Sequence, residues 1–172
     1  MTTAPFHREQ RRVAAAMGAA LLTAMALLSL AFACAGAEQP FIDRLQTTLR
    51  ADLFVLLCLA VAIGDVARRR FLSPQDLAGA ATTEASPDVA AARAILQNTL
   101  EQSVLAIGAH LALTAAFGGS RLPVAVLVGL FVAGRVLFHA GYRHGASARA
   151  FGFALTFYPS VLALAAALWL TL

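Results

Sequence analysis

The chain has no lysine: all thirteen of its basic residues are arginines. It has two cysteines, one tryptophan and two tyrosines, and charged residues make up only 13% of it. Each shortage excludes something. Cys34 and Cys58 lie in separate apolar stretches with no paired spacing, so there is neither a disulfide framework nor a metal-ligand pattern. No glycine-rich phosphate loop, no His/Cys cluster and no nucleophile elbow occurs, which removes the sequence signatures of phosphate-loop hydrolysis, zinc chemistry and serine hydrolysis. Charge this sparse is also too little for an ordinary soluble domain.

What the chain does have is apolar length. It is 60% hydrophobic with a mean hydropathy of +0.75, which places it in a bilayer. Stretches long enough to span run over 13–36, 53–67, 98–117, 123–142 and 150–172, the second being the shortest. The fold class is therefore an all-α, multi-pass integral membrane protein. The first stretch follows "HREQRR" and ends near "ACAGA", which resembles a signal-cleavage site. Its apolar part exceeds the roughly 7 to 15 residues usual in a signal peptide, and this favours a retained helix.

Arginine placement sets the expected orientation, because cytoplasmic loops carry the excess of basic residues. Arg8, Arg11, Arg12, then Arg68, Arg69, Arg70 and Arg93, then Arg143 and Arg149 fall on alternate sides of successive spans from Arg44, Arg50 and Arg121. The amino terminus is expected inside, the carboxyl terminus outside, and the membrane is expected to be a bacterial inner membrane. The formal charge of +4 is then a topology signal and a contact with inner-leaflet lipid, with no nucleic-acid partner implied.

One linker stands out, "FLSPQDLAGAATTEASPD" at 71–88, expected in the cytoplasm. Its end, "SPD", is a helix start: Ser86 caps, Pro87 takes the first helical position, and Asp88 sits at the positive end of the dipole. A helix from there to Phe117 is roughly 45 Å long against a hydrocarbon core of about 30 Å, so its first turns stand clear of the bilayer. The short connection "GGSR" makes the helices on either side of it antiparallel neighbours. Pro159 falls inside the last helix and is expected to bend it.

The remaining question is why an apolar span should carry Asn98, Glu101, Gln102 and His110. The first three are spaced to project from one side of a helix, which cannot face lipid. Two readings fit: an interhelical hydrogen-bond knot, or a ligand site at the inner interface. Arg135, His139 and Tyr142 share a face of the fourth span, and Arg135 is the natural counter-ion of Glu101, as a structural pair or across a ligand. His139 and His110 read as structural. Arg149 and Arg68 to Arg70 fit topology anchors, yet they gather at one level with Asn98, Glu101 and Tyr142.

These residues resemble those of the MAPEG family, the membrane-associated proteins in eicosanoid and glutathione metabolism. The resemblance covers about 53–172 and rests on "QNTLEQ" at 97–102, which holds an Asn-x-x-Glu, on "VAGRVLFHAGYRHGASARAFGF" at 132–153, and on "VARRRF" closing the preceding span. It implies a four-helix transmembrane domain over 51–172, preceded by an extra helix and a periplasmic connection over 1–50. It also implies a homotrimer binding glutathione between protomers at the cytoplasmic face, with lipophilic electrophiles arriving from the bilayer. Glutathione would be the co-substrate, with no metal. Carried over by position, Arg149 is the catalytic arginine, and Asn98, Glu101, Tyr142, Arg69, Arg93, Gln97 and Arg135 are glutathione-binding residues.

The chemistry is coherent. Glutathione carries two carboxylates, an amine and a thiol, and an arginine beside the sulfur favours the thiolate. There are also departures. Where the family commonly has an arginine four residues before the asparagine, this chain has Ala94. Arg93 is one place off, rotated about 100° round the helix, and reaches a carboxylate from another direction or not at all. Ala150 and Phe153 stand in place of the serine and tyrosine of prostaglandin-forming members, and Phe138 stands where some members have a second polar or aromatic site residue. The implied activity is a membrane glutathione transferase or peroxidase. The alternative is a non-catalytic membrane protein that keeps the fold for assembly. A transporter is disfavoured, since no span is a broken helix with a counterpart in a second half.

Overall fold

A computed structural model of the chain describes residues 3–77 and 85–172, with side chains from Phe6 onward. Residues 78–84, the middle of the expected linker, lie outside the described residues. Every regular element described is helical. Five long helices, α1 (Thr3–Ala33), α2 (Phe41–Leu72), α4 (Pro87–Ala116), α5 (Arg121–Gly141) and α6 (Ala146–Thr171), are accompanied by the single turn α3 (Pro74–Leu77) and a 3-10 turn at Tyr142–His144. Helices α2, α4, α6 and α5 follow one another round a four-helix bundle, and α1 lies along α6 and α5.

The start of α4 follows from its sequence. Ser86 Oγ accepts from the Val89 N–H at 3.4 Å, Pro87 occupies the first turn, and Asp88 sits at the dipole's positive end. Just upstream, the Asp76 carboxylate accepts from Ser73 Oγ at 2.6 Å and from the Ser86 backbone N–H at 3.1 Å, and these bonds hold its pKa below the usual carboxylate value. Thus one side chain joins the two described ends of the linker.

Helix α2 begins at Phe41, twelve residues before its expected apolar start, so the expected boundary at residue 50 falls inside a continuous helix. The reason is a polar seam. Arg44, Thr48 and Asp52, spaced four apart, are buried on the face turned to α4. Arg44 donates to the Thr114 and Phe117 carbonyls, Thr48 pairs with Thr114 at 2.7 Å, and Asp52 Oδ1 lies 2.6 Å from His110 Nδ1. His110 is the satisfied packing residue expected of it. Leu53, Phe54, Leu57 and Val61 cover the opposite side of α2 and are exposed. Three helical segments, Phe6–Ala33, Arg121–His144 and Ala146–Thr171, are long and apolar enough to cross a membrane. Helices α2 and α4 are as long, with charged and polar residues along them.

Helices α5 and α6 meet backbone to backbone. A β-carbon at Gly134 would stand 2.6 Å from Thr156 Cγ2, and one at Gly152 would fall on the Phe138 backbone nitrogen. The interior position of Pro159 does not end α6. Helix α1, which the sequence leaves without a role, packs through Ala20, Ala24, Leu28 and Ala31, a stripe at helical spacing. Ala20 meets Leu130, Ala154 and Leu155, while Leu28 joins Val55, Leu113 and Leu127. The residues before 50 therefore share the core of those after it.

Two outcomes follow for experiment. With Cys34 and Cys58 replaced by alanine, a cysteine at His144 should be labelled only from the cytoplasmic side and one at Glu38 only from the opposite side; the reverse pattern would invert the topology. Leaving a buried polar group without its hydrogen-bond partner costs about 1 to 3 kcal/mol, against about 0 to 1 kcal/mol for losing an exposed ion pair. Asp52→Ala should accordingly lower the unfolding temperature in detergent far more than Asp88→Ala, which removes the exposed pair with Arg143. Equal losses would leave the seam without structural weight.

Candidate functional site

The site is built on a corner. Helix α5 ends at Gly141, the chain makes one 3-10 turn through Tyr142, and α6 opens after Gly145, whose φ of 104° and ψ of −179° belong to a region essentially restricted to glycine. This corner sets Tyr142 against the first turn of α6, with the Arg149 guanidinium 4.7 Å from the centre of its ring. Among the described residues Arg149 has no hydrogen-bond partner, and it is half-buried.

Arg149 and Tyr142 line a cavity of about 370 Å³ together with Asn98 of α4. Ala94, Phe138, Ala150 and Phe153, the positions at which the chain departs from the family pattern, line it too. So do Val13 and Met17, which α1 contributes. Behind this cavity stands Arg135. Its guanidinium donates to Asn98 Oδ1 and to Thr156 Oγ1, each at 2.8 Å, and lies 4.5 Å from the Phe138 ring centre. The bond from Arg135 fixes which end of the Asn98 amide is engaged and leaves the NH₂ group with its two hydrogens to donate.

The structure does not gather all of the expected residues here. Glu101 is exposed and accepts from Gln97 Nε2 at 2.9 Å, one turn away on the same face. The expected Arg135–Glu101 pair is not formed; Arg135 turns into the bundle, where Asn98 and Thr156 answer it. Asn98, Glu101 and Gln102 do not share one environment either, since Gln102 is buried, Asn98 half-buried and Glu101 exposed. The 100° step between neighbouring helical residues separates them. Arg69 is held by Asp65 at 2.7 Å on α2, and Arg93 is exposed. Thus Asn98, Tyr142 and Arg149 come together with Arg135 behind them, while Glu101, Gln97, Arg93 and Arg69 lie elsewhere on the single chain.

A second cavity, of about 460 Å³, opens between α2, α4 and α5 and shares no lining residue with the first. Its walls are mostly apolar, with Leu57, Cys58 and Val61 on one side and Val136 and His139 on the other. Sequence reasoning missed Val13 and Met17, because an apolar residue in an apolar helix carries no mark of what it faces. It also missed Asp52, where a signal did exist: a lone acid within reach of an apolar span calls for a partner such as His110.

The model of the MAPEG family matches residues 47–169. The chain belongs to the MAPEG family. No curated protein and no solved structure matches it. MAPEG membership agrees with the long apolar helices in making this an integral membrane protein of a family concerned with eicosanoid and glutathione metabolism. The MAPEG match begins inside α2, so α1 lies wholly before it.

The corner generates a test. Forcing an L-residue into the conformation of Gly145 costs about 1 to 3 kcal/mol. Gly145→Ala should therefore weaken ligand binding at the cavity by displacing Tyr142 and Arg149, with a smaller effect on binding from Gly129→Ala, where a β-carbon meets nothing within 4 Å. Equal binding in the two variants would mean that the corner does not set the site.

Proposed function

We propose that the protein is a membrane glutathione transferase or peroxidase that activates the thiol at Arg149. The observation that carries this reading is an uncommitted guanidinium, stacked on Tyr142 and half-buried beside a cavity into which the Asn98 amide can donate. A cation without a protein acceptor is suited to an anion brought by the ligand. A thiolate there, or a ligand carboxylate held by Asn98, would complete it.

In the conjugation reaction the thiol proton leaves to solvent and the thiolate, stabilised by Arg149, attacks an electrophilic carbon. If the electrophile carries a halide, the carbon–sulfur bond forms as the carbon–halogen bond breaks and halide departs. If it is an α,β-unsaturated carbonyl, the electron pair passes to the carbonyl oxygen and a proton returns at the α-carbon. As a peroxidase, two thiols would reduce one hydroperoxide to an alcohol and water and leave as a disulfide.

We further infer a homotrimer in the inner membrane, with the site on the cytoplasmic side and five helices crossing, α2 and α4 among them. The face of α4 bearing Gln97, Leu100, Glu101 and Val104 is exposed on one chain, and Leu100 and Val104 are 42% and 67% exposed. A carboxylate on such a face costs less against a protein partner than in lipid. This arrangement would bring Glu101 and Gln97 to a neighbour's ligand. The second reading, a non-catalytic protein of the same fold, is favoured by Ala94, which leaves the cavity one arginine short of the family pattern.

The two readings divide on Arg149. A free thiol near pKa 8.5 is only a few per cent ionised at neutral pH, and lowering it by about two units raises the thiolate fraction more than tenfold. The rate gains less, because nucleophilicity falls with pKa. Arg149→Ala should abolish the ultraviolet thiolate absorbance of bound glutathione and slow conjugation at least tenfold without loss of fold, and Arg149→Lys should restore part of it. A panel of thiols run in parallel identifies the co-substrate. Wild-type conjugation by Arg149→Ala would reduce the arginine to a topology anchor.

A further inference from the structure

The site has a wall that the family match leaves out. Val13 and Met17, one helical turn apart on α1, line the same cavity as Asn98, Tyr142 and Arg149. Helix α1 is not loosely placed there. Ala20 and Ala24, each 0% exposed, continue the same face outward, with Ala20 seated on Ala154 and Leu155 of α6. At the inner end the Glu9 carboxylate accepts from the Ser147 backbone N–H at 3.0 Å, two residues before Arg149. A carboxylate on the first turn of a helix is also favoured by the dipole. Helix α1 is therefore fixed on both sides of the two residues that reach the cavity.

Apolar residues of α4, α5 and α6, Phe138 and Phe153 among them, line the cavity beside its three polar groups, and the part that α1 adds is wholly apolar. Arg149, Tyr142 and Asn98 offer a cation, a phenol and an amide, whereas Val13 and Met17 offer only hydrocarbon and a thioether. A hydrophilic thiol has partners on the first side and none on the second. A lipophilic electrophile has the opposite need, and the flexible unbranched Met17 side chain can adapt to its shape. We infer that α1 closes this site in cis, with Met17 and Val13 forming the apolar wall that seats the hydrocarbon tail of the electrophile beside the thiol and selects its length. The inference rests on the thiol-transfer reading and assigns the extra helix a part in substrate selection.

The test uses the full chain in detergent micelles, glutathione as the thiol, and straight-chain 2-alkenals of increasing length as electrophiles. Glutathione affinity is read by titration calorimetry and selectivity by kcat/KM along the series. Met17→Trp should shift the preference toward shorter alkenals and Met17→Ala toward longer ones, by about fourfold per methylene excluded or admitted. Glutathione affinity should stay within twofold of wild type. The conservative Met17→Leu should keep the wild-type preference, which guards against misreading a folding defect. Leu22→Trp, on the exposed side of α1, controls for partitioning of the alkenal into the micelle. An unchanged preference across the Met17 series with glutathione bound normally would overturn this inference alone, as would an equal shift from Leu22→Trp. Failure of the wild type to bind any glutathione would instead overturn the thiol-transfer reading, and this inference with it.

Discussion

A guanidinium buried in a membrane bundle calls for partners from its neighbours, and Arg135 imposes that demand at the meeting point of three helices. It is 5% exposed, bonds Asn98 on α4 and Thr156 on α6, and stacks on Phe138 of its own helix. Its reach to Thr156 requires α5 and α6 to approach closely, which Gly134 and Gly152 permit. The same bond orients the Asn98 amide toward the cavity. The floor of the candidate site is thus the outer edge of an arrangement made necessary by one charge inside the core.

The bilayer forces this economy elsewhere as well. With no water available, a polar side chain is retained only where another helix supplies its partner. The α2–α4 seam follows the rule through Arg44, Thr48, Asp52, His110 and Thr114, and the apolar exterior of α2 follows it in reverse. Arg149 departs from the rule: in the first turn of α6 its charge is given a ring and a cavity but, among the described residues, no acceptor. That contrast between a committed arginine and an uncommitted one, fourteen residues apart in sequence, distinguishes structure from candidate function.

Much of this was legible in the sequence. The five apolar stretches correspond to five long helices, the Ser86 cap and Pro87 start are as the residue types require, and Asn98, Tyr142 and Arg149 meet as their spacing and the resemblance imply. What was not legible depends on rotation and on partners. Glu101 and Gln102 differ by 100° about the helix and so fall in opposite environments, which no count of polar residues reveals. The choice of Asn98 over Glu101 by Arg135 depends on where α6 places Thr156. The approach of α1 to the site was hidden for another reason: alanines and a methionine mark a packing face without naming the surface it meets.

The seam between α2 and α4 has a consequence for how the chain is made. A segment enters a bilayer on its own when its side chains, summed, prefer hydrocarbon, and Arg44, Thr48 and Asp52 lower that sum for α2. Its partner, with His110 and Thr114, leaves the ribosome only after the linker has been synthesised. The buried polar groups of α2 therefore gain their partners only once α4 has emerged. The length of the linker sets the interval over which those groups lack their partners.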